Sequence, residues 1–119
     1  METLLTVLDE KTALVKDKDL FALEMPLDKY GCWIEPMDYP SRFNGTDAQE
    51  YNIYYRSKSK TSADSNIKYL QSKIDELTTE ECRLSDGTTF RVELVTRFSY
   101  LGKSEEGWFI FVARLRLTL

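Results

Sequence analysis

The sequence contains no histidine. That removes the Ser-His-Asp and Cys-His arrangements that activate a nucleophile, together with the commonest transition-metal ligand. Cysteine is nearly as scarce, and the two present, Cys32 and Cys82, fall in no metal-ligand spacing. The N-terminus, Met-Glu-Thr-Leu-Leu, has neither a basic leader nor a long apolar run. A reducing cytosol and two free thiols are therefore expected. The five glycines are scattered singly, which excludes a phosphate-cradling loop. The longest apolar stretch, Trp108 to Ala113, is far short of the roughly 20 residues that cross a bilayer as a helix. Lys and Arg number 16 against 20 Asp and Glu, giving a net charge of -4. An acidic chain has no bulk attraction for nucleic acid, so sequence-specific binding of DNA or RNA is not expected.

What is present is an ordinary globular composition, 42% hydrophobic and 30% charged over 119 residues. Residues 1–119 read as one domain, which at this size buries roughly two-thirds of the surface its unfolded chain would expose. Residues 2–15 read as a helix, with Leu4, Leu5, Leu8 and Val15 on one side. Phe21, Leu23 and Met25 alternate as a short strand stopped by Pro26, and Gly31 to Glu35 reads as a second, ended by Pro36. Residues 38–47, with Pro40, Asn44 and Gly45, read as a loop containing a turn. The strand from Glu50 to Ser57 sets Tyr51, Ile53 and Tyr55 on one face, with Asn52, Tyr54 and Arg56 opposite.

Ile67, Leu70, Ile74 and Leu77 then step by three and four, the stripe of a second helix, which Ser62 or Asp64 can cap. Asp75, Glu76, Glu80 and Glu81 oppose the dipole at its far end. Either the helix stops near Thr78 or the acidic end serves a partner. Arg83 and Leu84 suggest a short strand turned at Asp86-Gly87 into a longer one from Thr89 to Tyr100, with Phe90, Val92, Leu94 and Phe98 on one face. Gly102 to Gly107 reads as a charged hairpin loop. The last strand alternates Phe109, Phe111, Ala113, Leu115, Leu117 and Leu119 against Arg114 and Arg116. The fold expected is α+β: an antiparallel or mixed sheet with two helices on one face, in the order α-β-β-β-α-β-β.

No spacing points to chemistry. The carboxylates near Asp86-Gly87 lack a calcium-loop pattern and read as a solvated helix end and a turn. A two-carboxylate glycosidase needs a deep cleft, hard to build in so short a chain. No cofactor, metal or catalytic residue is therefore expected. Arg56, Lys58 and Lys60 form the one basic cluster, beside Tyr54 and Tyr55. A stacking platform for nucleic acid is one reading, and cations guarding a strand edge is the other, which the acidic total favours. The last strand is apolar on both faces near its start, where Trp108, Ile110 and Val112 oppose Phe109, Phe111 and Ala113. A second apolar face needs a cover, the pattern of an oligomer or partner surface.

The leading helix, Trp33-Ile34 in an early strand, and Tyr51-Asn52-Ile53-Tyr54-Tyr55-Arg56-Ser57-Lys58 running into a capped helix resemble the tail-terminator proteins of long-tailed bacteriophages, often called minor capsid proteins. The similarity continues through Phe98-Ser99-Tyr100-Leu101-Gly102 and Gly107-Trp108-Phe109-Ile110-Phe111. It implies a non-catalytic virion protein, assembled in the bacterial cytoplasm. The expected assembly is a hexameric ring that caps the tail tube, ends its polymerisation and meets the head-tail connector, with DNA passing through it. Such a ring needs two different sticky surfaces per subunit. Trp108 and Ile110, with Val112, are the expected subunit contact. Arg56, Lys58 and Lys60, with Lys103, Glu105 and Glu106, are expected to touch tube or connector. A head-completion or connector protein of the same particle is the nearest alternative, and a small cytosolic protein-binding adaptor domain the next.

Overall fold

The computed structural model describes residues 2–37, 41–43 and 46–118. Helix α1 (Glu2–Lys11) opens the chain, followed by strands β1 (Leu20–Ala22), β2 (Gly31–Pro36), β3 (Ser41–Phe43) and β4 (Thr46–Ser57). Helix α2 (Lys60–Leu77) comes next. The chain closes with β5 (Cys82–Arg83), β6 (Thr89–Lys103) and β7 (Phe109–Thr118). The strands form one sheet in the order β1-β2-β4-β7-β6-β5, with β3 paired to β4. Among the described strands only β1 and β2 run parallel, so the sheet is mixed. An α+β fold with two helices over one sheet face is thus the architecture, and β3 is the strand that the sequence pattern did not supply.

The register explains which face is covered. Cys32 pairs with Tyr55 and Ile34 with Ile53, while Tyr51, Ile53 and Tyr55 pair with Leu115, Ala113 and Phe111. Val92 and Leu94 continue the row opposite Leu117 and Leu115. These side chains form one core with Leu4, Leu5, Val7 and Leu8 of α1 and Ala63, Leu70, Ile74 and Leu77 of α2. Burying them supplies the folding drive at about 25 cal/mol per Å² of apolar area.

Local departures from the sequence reading have local causes. Helix α1 stops at Lys11 rather than residue 15, because the Thr12 hydroxyl donates to Leu8 O (2.6 Å) and accepts from Leu14 N (3.1 Å). Val15 is consequently exposed rather than in the core. The first strand ends at Ala22, since Leu23 takes a left-handed backbone (φ 69°) and turns outward; Leu20, not Phe21, is the fully buried residue there. Within the stretch read as a loop, residues 41–43 and 46–48 pair as strands, whereas Pro40, Asn44 and Gly45 lie outside the described residues, as does Leu119. Helix α2 begins earlier than its apolar stripe: Ser59, not Ser62 or Asp64, is the cap, accepting from Ser62 N at 3.2 Å. It does stop at Thr78, and the acidic end is balanced internally by Arg97 against Asp75 (3.2 Å) and Lys73 against Glu76 (3.6 Å).

Candidate functional site

One end of the sheet gathers the residues that the sequence singled out. There β4 finishes, β7 begins and the β6–β7 hairpin turns, so Arg56 stands opposite Ile110 and Ser57 opposite Phe109. Lys103 also pairs with Phe109 across β6 and β7. The hairpin is closed by Ser104 N donating to Trp108 O (2.8 Å) and Gly107 N to Ser104 O (3.0 Å). This brings the Arg56–Lys60 segment and the Lys103–Glu106 loop to the same end of the sheet, with β7 between β4 and β6, although more than forty positions separate them in the chain.

Arg56 is the hub of the face turned away from the helices. Its guanidinium lies 4.1 Å from the centre of the Trp108 ring and 6.0 Å from that of Trp33. Trp33 stacks on Tyr54 with centroids 4.9 Å apart. The Arg56 Nε donates to Lys29 O (3.0 Å), and Nη2 donates to Pro26 O (2.6 Å) and Leu27 O (3.4 Å). Burial lowers the pKa of this guanidinium while the Glu106 charge opposes the shift; Arg keeps its charge at physiological pH.

The sequence offered two readings of the basic cluster, and the structure overturns the edge-guarding one. Strand β4 is interior to the sheet, flanked by β2 and β7, so Arg56 protects no edge. It covers aromatic rings and holds a loop. Trp108 also differs from expectation. It is 6% exposed, roofed by Arg56 and by the Lys58 ammonium at 4.9 Å, and offers a partner no free ring. Ile110 is half-buried beside it. The second sheet face is thus partly covered by the chain itself, through residues 26–29. Further along, that face turns polar: Arg114 Nε donates to Asn52 Oδ1 (3.1 Å), and Arg116 meets Glu93 (3.3 Å) and Glu50 (3.8 Å).

The remaining candidates are exposed. Lys58, Lys60, Lys103, Glu105 and Glu106 all face solvent at this end. Lys60 sits 5.4 Å from the Tyr100 ring and 3.4 Å from Asp64, and Lys103 sits 5.1 Å from the Phe109 ring. The cations are steadied by aromatic faces while their charges stay wet, an arrangement suited to contact with a charged protein surface. The sequence marks Pro26 only as a strand stop and gives Leu27 and Lys29 no role, yet Arg56 holds the carbonyls of all three. Their signal was faint: a Pro next to an apolar residue in a polar stretch.

Other chemistry-bearing groups stand apart. Burial pushes the Cys32 thiol upward, and neither cysteine is bridged. Among the described residues no three His, Cys, Asp or Glu side chains are grouped to hold a metal ion, and no helix is long and apolar enough to cross a membrane. A depression of about 500 Å³ between α2 and β6 is lined by Lys68, Gln71, Asp75, Glu76 and Arg97, where Arg97 pairs with Asp75 and Gln71 donates to Asp75 (3.0 Å) and accepts from Phe98 N (2.9 Å). No protein-family model matches the sequence, and no curated protein matches it.

Proposed function

We propose that the chain is a non-catalytic structural subunit of a long-tailed phage particle, a tail terminator that assembles with copies of itself into a ring. The ring caps the tail tube, ends its growth and presents the surface that meets the head connector. The observation that carries the reading is a subunit with a complete core that nevertheless holds large apolar side chains out in solvent. Leu23, Leu27 and Tyr30 stand out on one loop, and Val95, Tyr100 and Leu101 on β6. Exposed apolar groups on ordered backbone are the raw material of protein contacts. The charged end built from Lys58, Lys60, Lys103, Glu105 and Glu106 supplies a second, wetter surface for tube or connector. Two unlike surfaces are what a closed ring between unlike neighbours requires.

The test is light scattering on the purified chain, alone and with purified tail tube, followed by negative-stain imaging. A ring alone, or one formed only on tube ends, is the expected outcome. A strict monomer that leaves tube ends bare overturns the proposal.

A further inference from the structure

A hollow of about 190 Å³ opens on the helix side of the sheet, between α2 and the segment that follows α1. Its floor is apolar and fixed. Leu14, Tyr55 and Leu70 are buried there as part of the core, and Asn66 Nδ2 donates to Tyr55 Oη (2.6 Å), which holds that ring in place. Two more tyrosines stand at the rim, within reach of solvent: Tyr30, from the loop between β1 and β2, and Tyr69, from α2, are 58% and 40% exposed. Three separate parts of the chain thus each bring one tyrosine to the same small space.

Among the residues that line the hollow, Asp19 alone is charged. Its Oδ1 accepts from Val15 N (2.7 Å). A backbone N–H is a neutral donor, so this bond orients the carboxylate without cancelling its charge. The charge is felt at the floor. Burial raises the pKa of the Cys32 thiol, and the Asp19 carboxylate raises it further; Cys32 is the cross-strand partner of Tyr55. Lys73, whose ammonium is 5.8 Å from the Tyr69 ring, is paired with Glu76 (3.6 Å) and does not line the hollow.

This lining discriminates between classes of guest. An anion meets the Asp19 charge and the negative faces of aromatic rings. A metal ion finds one carboxylate where it needs several oxygen ligands. An ammonium collared by methyl or methylene groups is weakly hydrated, and it gains from the carboxylate and from the tyrosine rings together. Size agrees: a cavity of about 150 Å³ holds a benzene-sized group, so this one has room for roughly seven heavy atoms. We infer that the hollow binds a small organic ammonium ion, with Asp19 as counter-charge and Tyr30, Tyr55 and Tyr69 as aromatic walls. The site lies within one subunit, so the inference does not depend on the ring reading.

Choline is the probe, set against its uncharged carbon isostere, in which a tert-butyl group replaces the trimethylammonium. NMR titration of the purified chain, following the tyrosine ring and Val15 amide signals, reads both. Choline should bind with a millimolar Kd, and the isostere about 10-fold more weakly. Asp19→Asn keeps an acceptor for Val15 N; it should weaken choline about 5-fold and leave the isostere unchanged. Tyr69→Phe should bind choline as wild type does, whereas Tyr69→Leu should lose about 5-fold, with retained Tm confirming the fold of each variant. Failure of choline to shift these signals, equal binding of choline and isostere, or an Asp19→Asn variant that binds choline as wild type does would overturn the inference.

Discussion

Arg56 shows how much one side chain can do when its partners lie far along the chain. Its planar fork meets three backbone carbonyls while its face lies on Trp108. Lysine carries the same charge but cannot present that fork or stack in that way. Arg56→Lys should therefore lower stability by about 1–3 kcal/mol, through lost charge-assisted bonds and a poorly covered ring. Urea unfolding followed by tryptophan fluorescence measures it. A midpoint equal to that of wild type would show that the loop holds itself. Gly31 illustrates the opposite constraint. Its φ is 131°, and a Cβ there would collide with the Asp19 backbone carbonyl, the same oxygen that accepts from Cys32 N at 2.8 Å. Glycine is needed so that β2 can begin against the turn after α1.

Elements are joined by a few polar ties. The end of α1 meets the β5–β6 turn where the Ser85 N–H donates to Glu10 Oε2 (3.1 Å) and its hydroxyl donates to Oε1. These bonds hold the Glu10 carboxyl below its ordinary value of 4.5. A depressed carboxyl stabilises the fold above its unfolded value and loses that contribution as pH falls through the folded one. The stability advantage of wild type over Glu10→Gln should thus shrink as pH drops from about 5 to about 3. Paired urea titrations at the two pH values read the difference, and a constant gap would mean the tie is not formed. Such ties were invisible in the sequence, because seventy-five positions separate Glu10 from Ser85. Periodicity was readable where one face is buried over many residues, as with Ile67, Leu70, Ile74 and Leu77 in α2 and the alternation of β7. It misled where tertiary partners decide. Leu23 sits in a strand pattern but turns outward. Residues 41–43 carry loop-like neighbours yet pair with β4. Lys60 and Thr61 look unlike a helix start, but Ser59 caps it. The clustering of Arg56, Lys58, Lys60 and Lys103 depends on β7 lying between β4 and β6, which no local pattern contains.

At the scale of the whole molecule, two kinds of surface are separated in space. Leu23, Leu27 and Tyr30 present exposed apolar side chains on one loop, whereas the β6–β7 hairpin end is charged. Salt distinguishes them. Exposed charges lose most of their reach as the screening length falls from about 14 Å near 50 mM to about 6 Å near 300 mM, while apolar burial is little affected. Self-association should therefore persist across that range, whereas attachment to the tube should slow markedly, as steered encounters do. Reversing Lys58 and Lys103 together to Glu should mimic high salt for tube attachment and leave ring size unchanged, because the exposed apolar side chains offered for the subunit contact, Leu23, Leu27 and Tyr30, lie on another loop. Stopped-flow capture of labelled tube ends, with light scattering in parallel, separates the two surfaces. Tube capture that is flat in salt, or a ring that dissolves when Lys58 and Lys103 are reversed, would mean that the charged end joins subunit to subunit and that the exposed leucines, Leu23 and Leu27, have another partner.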